Sequence, residues 1–231
     1  MKLIQLTNKY DYNELDRNTD RKTGVRYYSA PGGKVASVTT ILDKTKAEED
    51  KEGLQKWRDF VGEKEAKRVV TEAGNVGTLM HLKLEQYCLG ESKKPGGNLI
   101  HQQAHKMSQV IIEHGLSNVN ELWGVECPLF YEGLYAGTTD LVGEHKGQPA
   151  IMDFKQTNKP KTDERVKDYK CQLVAYGLAH NMMFGTEIKT GVIMMCTRDL
   201  QYQEWVLEKD EWEEYTDKWL HRLHQFYLHA A

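Results

Sequence analysis

Cysteine is scarce and scattered: Cys88, Cys127, Cys171 and Cys196 lie far apart with no CxxC spacing among them. A zinc knuckle and a redox pair both need close spacing, so neither is expected, and the four side chains read as buried or inert thiols. Long apolar runs are missing too. Stretches such as residues 191–196 fall well short of the roughly eighteen apolar residues that a membrane helix needs, and the N-terminal MKLIQLTNKYDYNEL turns polar at once. The expectation is a soluble, intracellular protein with no signal or transit peptide and no membrane partner. An excess of one charge is also absent, since 31 Lys+Arg against 34 Asp+Glu leave a formal net charge of −3. That excludes nucleic-acid binding driven by bulk charge, but not binding by a local patch. No internal repeat, low-complexity tract, helicase motif or ATPase motif occurs.

What is present is 231 residues, 39% of them apolar, enough for one compact unit that buries its core without disulfides or structural metal. Charge is polarised along it. Residues 155–170 hold six basic side chains (Lys155, Lys159, Lys161, Arg165, Lys167, Lys170) and three acidic ones, a local +3, whereas residues 208–218 hold six acidic and two basic, a local −4.

Strand-type runs flank Pro31-Gly32-Gly33 and predict a small hairpin over residues 27–38, followed by a helix capped by Ser37. Residues 46–73 carry Leu54, Trp57, Val61 and Ala66 near helical spacing. Gly74 and Gly77 are expected to break that helix before a second one at 78–89. A loop follows at 90–98, then a helix at 99–114. After Asn120 the pattern changes to a three-stranded meander, 122–131, 134–143 and 150–156. An amphipathic helix at 167–184, strands at 189–197 and 201–207, and a terminal helix at 210–229 complete the chain. This order is α+β, with a central mixed sheet flanked by helices. It divides into a hairpin and helical cover that includes the first core helix, residues 1–115, and a core of sheet and helices, residues 116–231.

The loop between the second and third meander strands is symmetric about Lys146 and Gly147, so paired residues have numbers that sum to 293, and Asp140 falls opposite Asp153. Two carboxylates directly across a strand pair repel unless something neutralises them, and a divalent cation is the simplest neutraliser. Oxygen ligands converging from two strands, with room for water and phosphate, suit Mg²⁺ or Mn²⁺. In Asp153-Phe154-Lys155, alternation puts Asp153 and Lys155 on one face and Phe154 in the core. An ammonium beside the attacking water can orient it and offset charge growing on phosphorus. A D-x-K tripeptide alone is an ordinary ion pair, and the opposed Asp140 is what favours a site. His81 and Glu85 share a helical face, as do Gln172 and Tyr176. The second pair could bind a nucleotide, orient the carboxylates, or simply be a buried Tyr with a polar neighbour.

Taken in order, Gly77-Thr78-x-x-His81, Gly137-Thr138-Thr139-Asp140, Asp153-Phe154-Lys155 and Gln172-x-x-x-Tyr176 resemble the RecB-type branch of the PD-(D/E)XK nucleases. The resemblance is to the mitochondrial genome maintenance exonuclease group and its bacteriophage-encoded relatives, which show similar Ser37-Val38-Thr39-Thr40-Ile41-Leu42, Trp57-Arg58 and Lys159-Pro160-Lys161 segments. It covers about residues 37–181. It implies that His81, Asp140, Asp153 and the Phe154 carbonyl bind Mg²⁺ or Mn²⁺, that Lys155 serves the attacking water, and that Gln172 and Tyr176 fill the third motif. Some branches also place a helical Glu, here Glu85, near the site.

The resemblance further implies N-terminal helices that close over the site and guide a single strand. Lys56, Arg58, Lys64, Lys67 and Arg68, with Lys159, Lys161 and Arg165, would contact phosphates, and Trp57 would either stack on a base or anchor its helix. The separated cysteines cannot supply the pattern of the iron–sulfur members. The expected protein is therefore a free-standing, metal-dependent DNA exonuclease without iron–sulfur cluster or small-molecule cofactor. It would work in the cytoplasm, the host's if phage-encoded. An endonuclease of the same fold and a catalytically silent nucleic-acid-binding module are the alternatives.

Overall fold

A computed structural model describes residues 4–91 and 94–230, so Ser92 and Lys93 of the expected 90–98 loop lie outside the described residues. Among the described residues nine strands form one mixed sheet: β1 (Gln5–Leu6), β2 (Asp16–Thr19), β3 (Arg26–Ala30), β4 (Gly33–Ser37), β5 (Val119–Tyr131), β6 (Tyr135–His145), β7 (Gln148–Thr157), β8 (Gly191–Thr197) and β9 (Tyr202–Leu207). The helices are α1 (Val38–Lys44), α2 (Glu48–Val61), α3 (Glu63–Cys88), α4 (Leu99–His114), α5 (Lys167–Phe184) and α6 (Lys209–Ala230). No helix among the described residues is long and apolar enough to cross a membrane.

Alternation along the central strands builds two cores. Ile151 and Ile193 face one side, where Leu173, Trp212 and Trp219 of α5 and α6 pack together with Ile41 of α1. Met152, Phe154 and Met194 face the other, against Met80 and Leu84 of α3 and Met107 and Ile111 of α4. The sheet is thus covered by helices on both faces, as the α+β reading expected. All four cysteines are buried and unpaired.

Three local expectations are revised. The helix break lies at Gly62 (φ 82°), and α3 runs unbroken through Gly74 and Gly77. A side chain at Gly77 would meet the Gln156 side chain at 3.4 Å, so this glycine serves close helix-to-strand packing rather than a turn. Secondly, α5 is buried around most of its circumference, Lys170 to Gly177 included, because sheet, α1 and α6 all surround it. Thirdly, β1 and β2 were not anticipated, since each is short and lacks an apolar alternation. Ser37 caps α1 as expected, accepting from the Thr40 N–H at 3.1 Å.

His180 near the end of α5 carries a testable consequence. It is fully buried against Tyr10, Trp123 and Phe184, with Nε2 3.0 Å from the Tyr12 hydroxyl and Nδ1 2.8 Å from Thr186 Oγ1. Burial pushes its pKa down to about 4. The unfolded chain takes up this proton near pH 6.5 and the folded chain does not until about pH 4, so stability is full above 6.5 and falls as pH drops through that window. The loss should reach about 3 kcal/mol. Urea unfolding of wild type and His180→Gln at pH 7 and pH 4 checks it, since a pH-independent difference between the two would be incompatible with a neutral buried imidazole.

Candidate active site

The Lys146-Gly147 turn has both residues at positive φ (50° and 79°), the conformation of a tight two-residue hairpin. It sets the expected register: His145 with Gln148, Gly143 with Ala150, Leu141 with Met152. The ladder stops there, one step short of Asp140 and Asp153. Asp140 Oδ2 instead accepts the Phe154 N–H at 2.6 Å, so a side chain takes the place of a ladder carbonyl and β6 parts from β7. On the same edge of β6, β4 pairs only with Tyr135 and Ala136. Residues 137–140 are left as a gap between two strands, and Asp140 stands in that gap.

A cleft of about 840 Å³ opens over it, lined from α3 by Thr78, His81 and Glu85, from the β2–β3 hairpin by Arg17 and Arg26, and from the centre by Asp140, Asp153, Lys155, Gln172 and Tyr176. His81 Nδ1 donates to Asp140 Oδ1 at 3.0 Å, and the His81 ring meets Phe154 edge-on at 6.0 Å between centroids. Lys155 Nζ pairs with Asp153 Oδ2 and lies over the Tyr169 ring. Gln172 Nε2 reaches Asp153 Oδ1 at 3.4 Å and the Tyr176 hydroxyl at 3.3 Å. Phe154 itself is in the core, as alternation required.

The two aspartates differ in electrostatics. Burial opposes ionisation of Asp140, but the charge and hydrogen bond of His81, then Lys155 and the Phe154 N–H, outweigh it and hold its carboxyl below the usual range. For Asp153, burial dominates over the nearby Lys155, and with the repulsion of Asp140 its carboxyl titrates above the usual range. His81 is raised despite burial because Asp140 favours imidazolium, and Lys155 is raised despite burial because Asp153 and Asp140 favour ammonium.

Glu126 was not singled out from the sequence. It sits at φ 51° on β5, between the pairs Val125 with Leu141 and Cys127 with Thr139, and so directly across from Asp140. Ligand atoms of His81, Glu126 and Asp140 all lie within 4.8 Å of one another. Although Glu126 is exposed at the cleft, desolvation by the surrounding protein first, and the Asp140 charge second, push its carboxyl up to about 7. The pairing arithmetic does not find it from the sequence: a two-residue Glu132-Gly133 turn gives partners that sum to 265 and sets Glu126 opposite Thr139, whereas the observed turn spans residues 132–134 and the partners sum to 266. One imidazole nitrogen and several carboxylate oxygens form a donor set that fits Mg²⁺ or Mn²⁺.

Several expected contacts lie elsewhere. Lys159, Lys161 and Arg165 lie outside this cleft, as do Trp57 and Arg58. No residue of α2 lines it, so the wall expected from residues 46–68 comes instead from α3 residues 77–85 and the β2–β3 hairpin. Trp57 is half-buried on a helix that buries no residue, so it is not a core anchor. Lys56 pairs with Glu52, and the Arg68 guanidinium is held by Glu65 and Glu72, which occupies both of these cations internally.

Gly137 explains the start of its motif. A side chain there would meet the Tyr176 ring at 2.6 Å. Gly137→Ala should therefore displace Tyr176 and, with it, Gln172. The expected cost is about 1–3 kcal/mol of stability together with loss of most activity. Wild-type activity at full stability would show that Tyr176 does not depend on that contact.

No protein-family model matches the chain. Mitochondrial genome maintenance exonuclease 1 of Mus musculus is 27% identical over 206 residues, which is 83% of this chain and 59% of the mouse protein. The Xenopus tropicalis and Homo sapiens proteins of the same name are each 24% identical, over 84% and 83% of this chain and 58% of their own lengths. The chain thus spans about three fifths of the length of these relatives. A solved structure from Eubacterium rectale aligns with 65% of this chain and 64% of its own at 12% identity and a TM-score of 0.47, a loose likeness. Over most of its own length, the chain resembles mitochondrial genome maintenance exonuclease 1.

Proposed function

We propose that this chain is a divalent-metal-dependent DNA exonuclease that shortens strands from a free end. The observation that carries the reading is the gap in the sheet at residues 137–140, where Asp140, Asp153 and Lys155 meet His81 and Glu126 in one open cleft. The names of the relatives support it. His81, Asp140 and Asp153, with the Phe154 carbonyl and Glu126, would hold the cation, and Glu85 stands one helical turn from His81 along the same wall. When bound, the cation supplies Lewis acidity toward phosphodiester oxygen and toward water.

The chain's own groups do the positioning. Lys155, steered by Asp153, orients the attacking water and offsets the charge that gathers on phosphorus. Gln172 holds Asp153, and Tyr176 holds Gln172. Outside the cleft, Lys159, Lys161, Arg165 and Arg58 are available to phosphates in this reading, and Trp57 to a base.

Linear and covalently closed single-stranded DNA of one sequence, incubated with Mg²⁺, Mn²⁺ or EDTA, tests the proposal. Linear strands should shorten progressively only with metal, while circles survive. Comparable cutting of circles would make the protein an endonuclease. Binding of linear DNA without cutting under any metal would leave a silent binding module.

A further inference from the structure

Three cavities lie in line along α1. The catalytic cleft shares Arg26 and Thr39 with a middle cavity of about 260 Å³, and that cavity shares Asp43 and Lys44 with an outer pocket of about 430 Å³ between α1 and α2. Thr39 and Lys44 stand at opposite ends of α1, about 8 Å apart along the helix axis. The outer pocket is lined by Lys44, Lys46, Lys51 and Arg58, with Asp43 as its one acid.

Most of this positive charge is not spent inside the protein. Lys51 pairs with Glu48, and Lys44 Nζ reaches only the Thr23 carbonyl, at 3.4 Å. Among the described residues, Lys46 and Arg58 have no carboxylate within ion-pair distance, nor have Arg17 and Arg26 along the cleft. The α1 dipole accounts for Lys44 in its last turn but not for the cations of α2 and the connecting segment.

A further basic segment lies outside the lining of this pocket. Lys161, on the loop after β7, is held by its backbone to Gln203 at both N–H (2.8 Å) and carbonyl (2.9 Å). The short helical turn carrying Arg165 is pinned by the buried Lys170 ammonium, which binds Asp163 beside it and Glu211 on α6. Burial, then the like charges of Arg165 and Lys46, lower the Lys161 pKa. Four cations around one acid, Asp43, favour an anion in the pocket.

We propose that the pocket between α1 and α2 is a second phosphate-binding site, which grips the substrate strand after it passes from the cleft along α1. This rests on the nuclease reading. The continuity of the groove makes the ligand part of the same polymer, either a backbone phosphate or a terminal one.

The test is the length dependence of binding by labelled oligo(dT) in EDTA, with wild type, Lys44→Gln/Lys46→Gln and Lys44→Arg/Lys46→Arg. Wild-type affinity should rise with length until the strand reaches the pocket. The Gln pair should lose about tenfold for long strands with little change for the shortest, and its log affinity against log salt should flatten by about 0.7 per lost contact. The Arg pair should retain wild-type behaviour. An equal loss for 5′-phosphorylated and 5′-hydroxyl strands assigns a backbone phosphate, and a loss confined to the former assigns the terminus. Unchanged affinity for long strands, or an equal loss at every length, overturns the second site while leaving the nuclease intact. A wild type that neither binds nor cuts DNA of any length overturns the nuclease reading itself.

Discussion

Asp153→Asn and Lys155→Ala are each expected to retain less than about one-thousandth of wild-type cleavage of linear single-stranded DNA with Mg²⁺ or Mn²⁺ present. Asp153 is both a candidate cation ligand and the group that fixes Lys155, so its neutralisation loosens the ammonium as well. Lys155→Ala removes the only cation that, among the described residues, is ion-paired to Asp153. Because the two act as a pair, the double variant should be scarcely worse than either alone. Single-turnover assays with end-labelled DNA, on protein shown folded by circular dichroism, provide the measurement. A tenth of wild-type rate in either variant would move the chemistry away from this pair.

Stability should separate the two aspartates that activity does not. Asp140 accepts from the Phe154 N–H and from His81, and its ionised form is favoured by folding. Asp153 is ionised against the cost of burial. At neutral pH, above both unfolded carboxyl values, the first charge adds stability and the second subtracts from it. The Asp140 contribution is lost as pH falls through its lowered pKa, and the Asp153 penalty is relieved as pH falls through its raised one. Asp140→Asn is therefore expected to lose about 1–2 kcal/mol, and Asp153→Asn to match or exceed wild type, by urea unfolding at pH 7 in EDTA. Equal destabilisation of both would falsify this assignment of roles.

The hairpin that aligns Asp140 with Asp153 was legible because a two-residue turn leaves one register, and the observed pairs follow it to Leu141 and Met152. That the ladder ends there was not legible. It depends on a carboxylate capturing a backbone N–H, which no alternation pattern encodes. Glu126 was hidden for a related reason: in a strand of mixed polarity, a Glu reads as a solvent-facing residue, and only its left-handed backbone and its place across from Asp140 single it out. Gly77 misled because glycine in a helix signals either a break or a close approach, and only the neighbour, Gln156, decides between them, whereas Gly74 has nothing within 4 Å and no close approach explains it. Strands β1 and β2 pair at the margins of the sheet through backbone bonds that short polar segments such as Asp16–Thr19 do not announce.

The hairpin carrying Arg17 and Arg26 joins the sheet through two residue pairs, Ala36 with Tyr135 and Ser37 with Ala136; it encloses a small cluster around Tyr28, Val35 and Ala136 and reaches the larger core through Tyr27 and Ala36. Strand β7, which carries Asp153 and Lys155, is instead bonded to β8 along its last seven residues, between two large cores. Opening free energies must therefore differ across the cleft, so amide hydrogens of residues 16–35 should exchange with solvent through local openings, and those of residues 151–157 only through global unfolding. One bank of the cleft can then swing out and return while the carboxylates opposite it keep their places, which in the proposed nuclease would let a strand be admitted without dismantling the metal-binding centre.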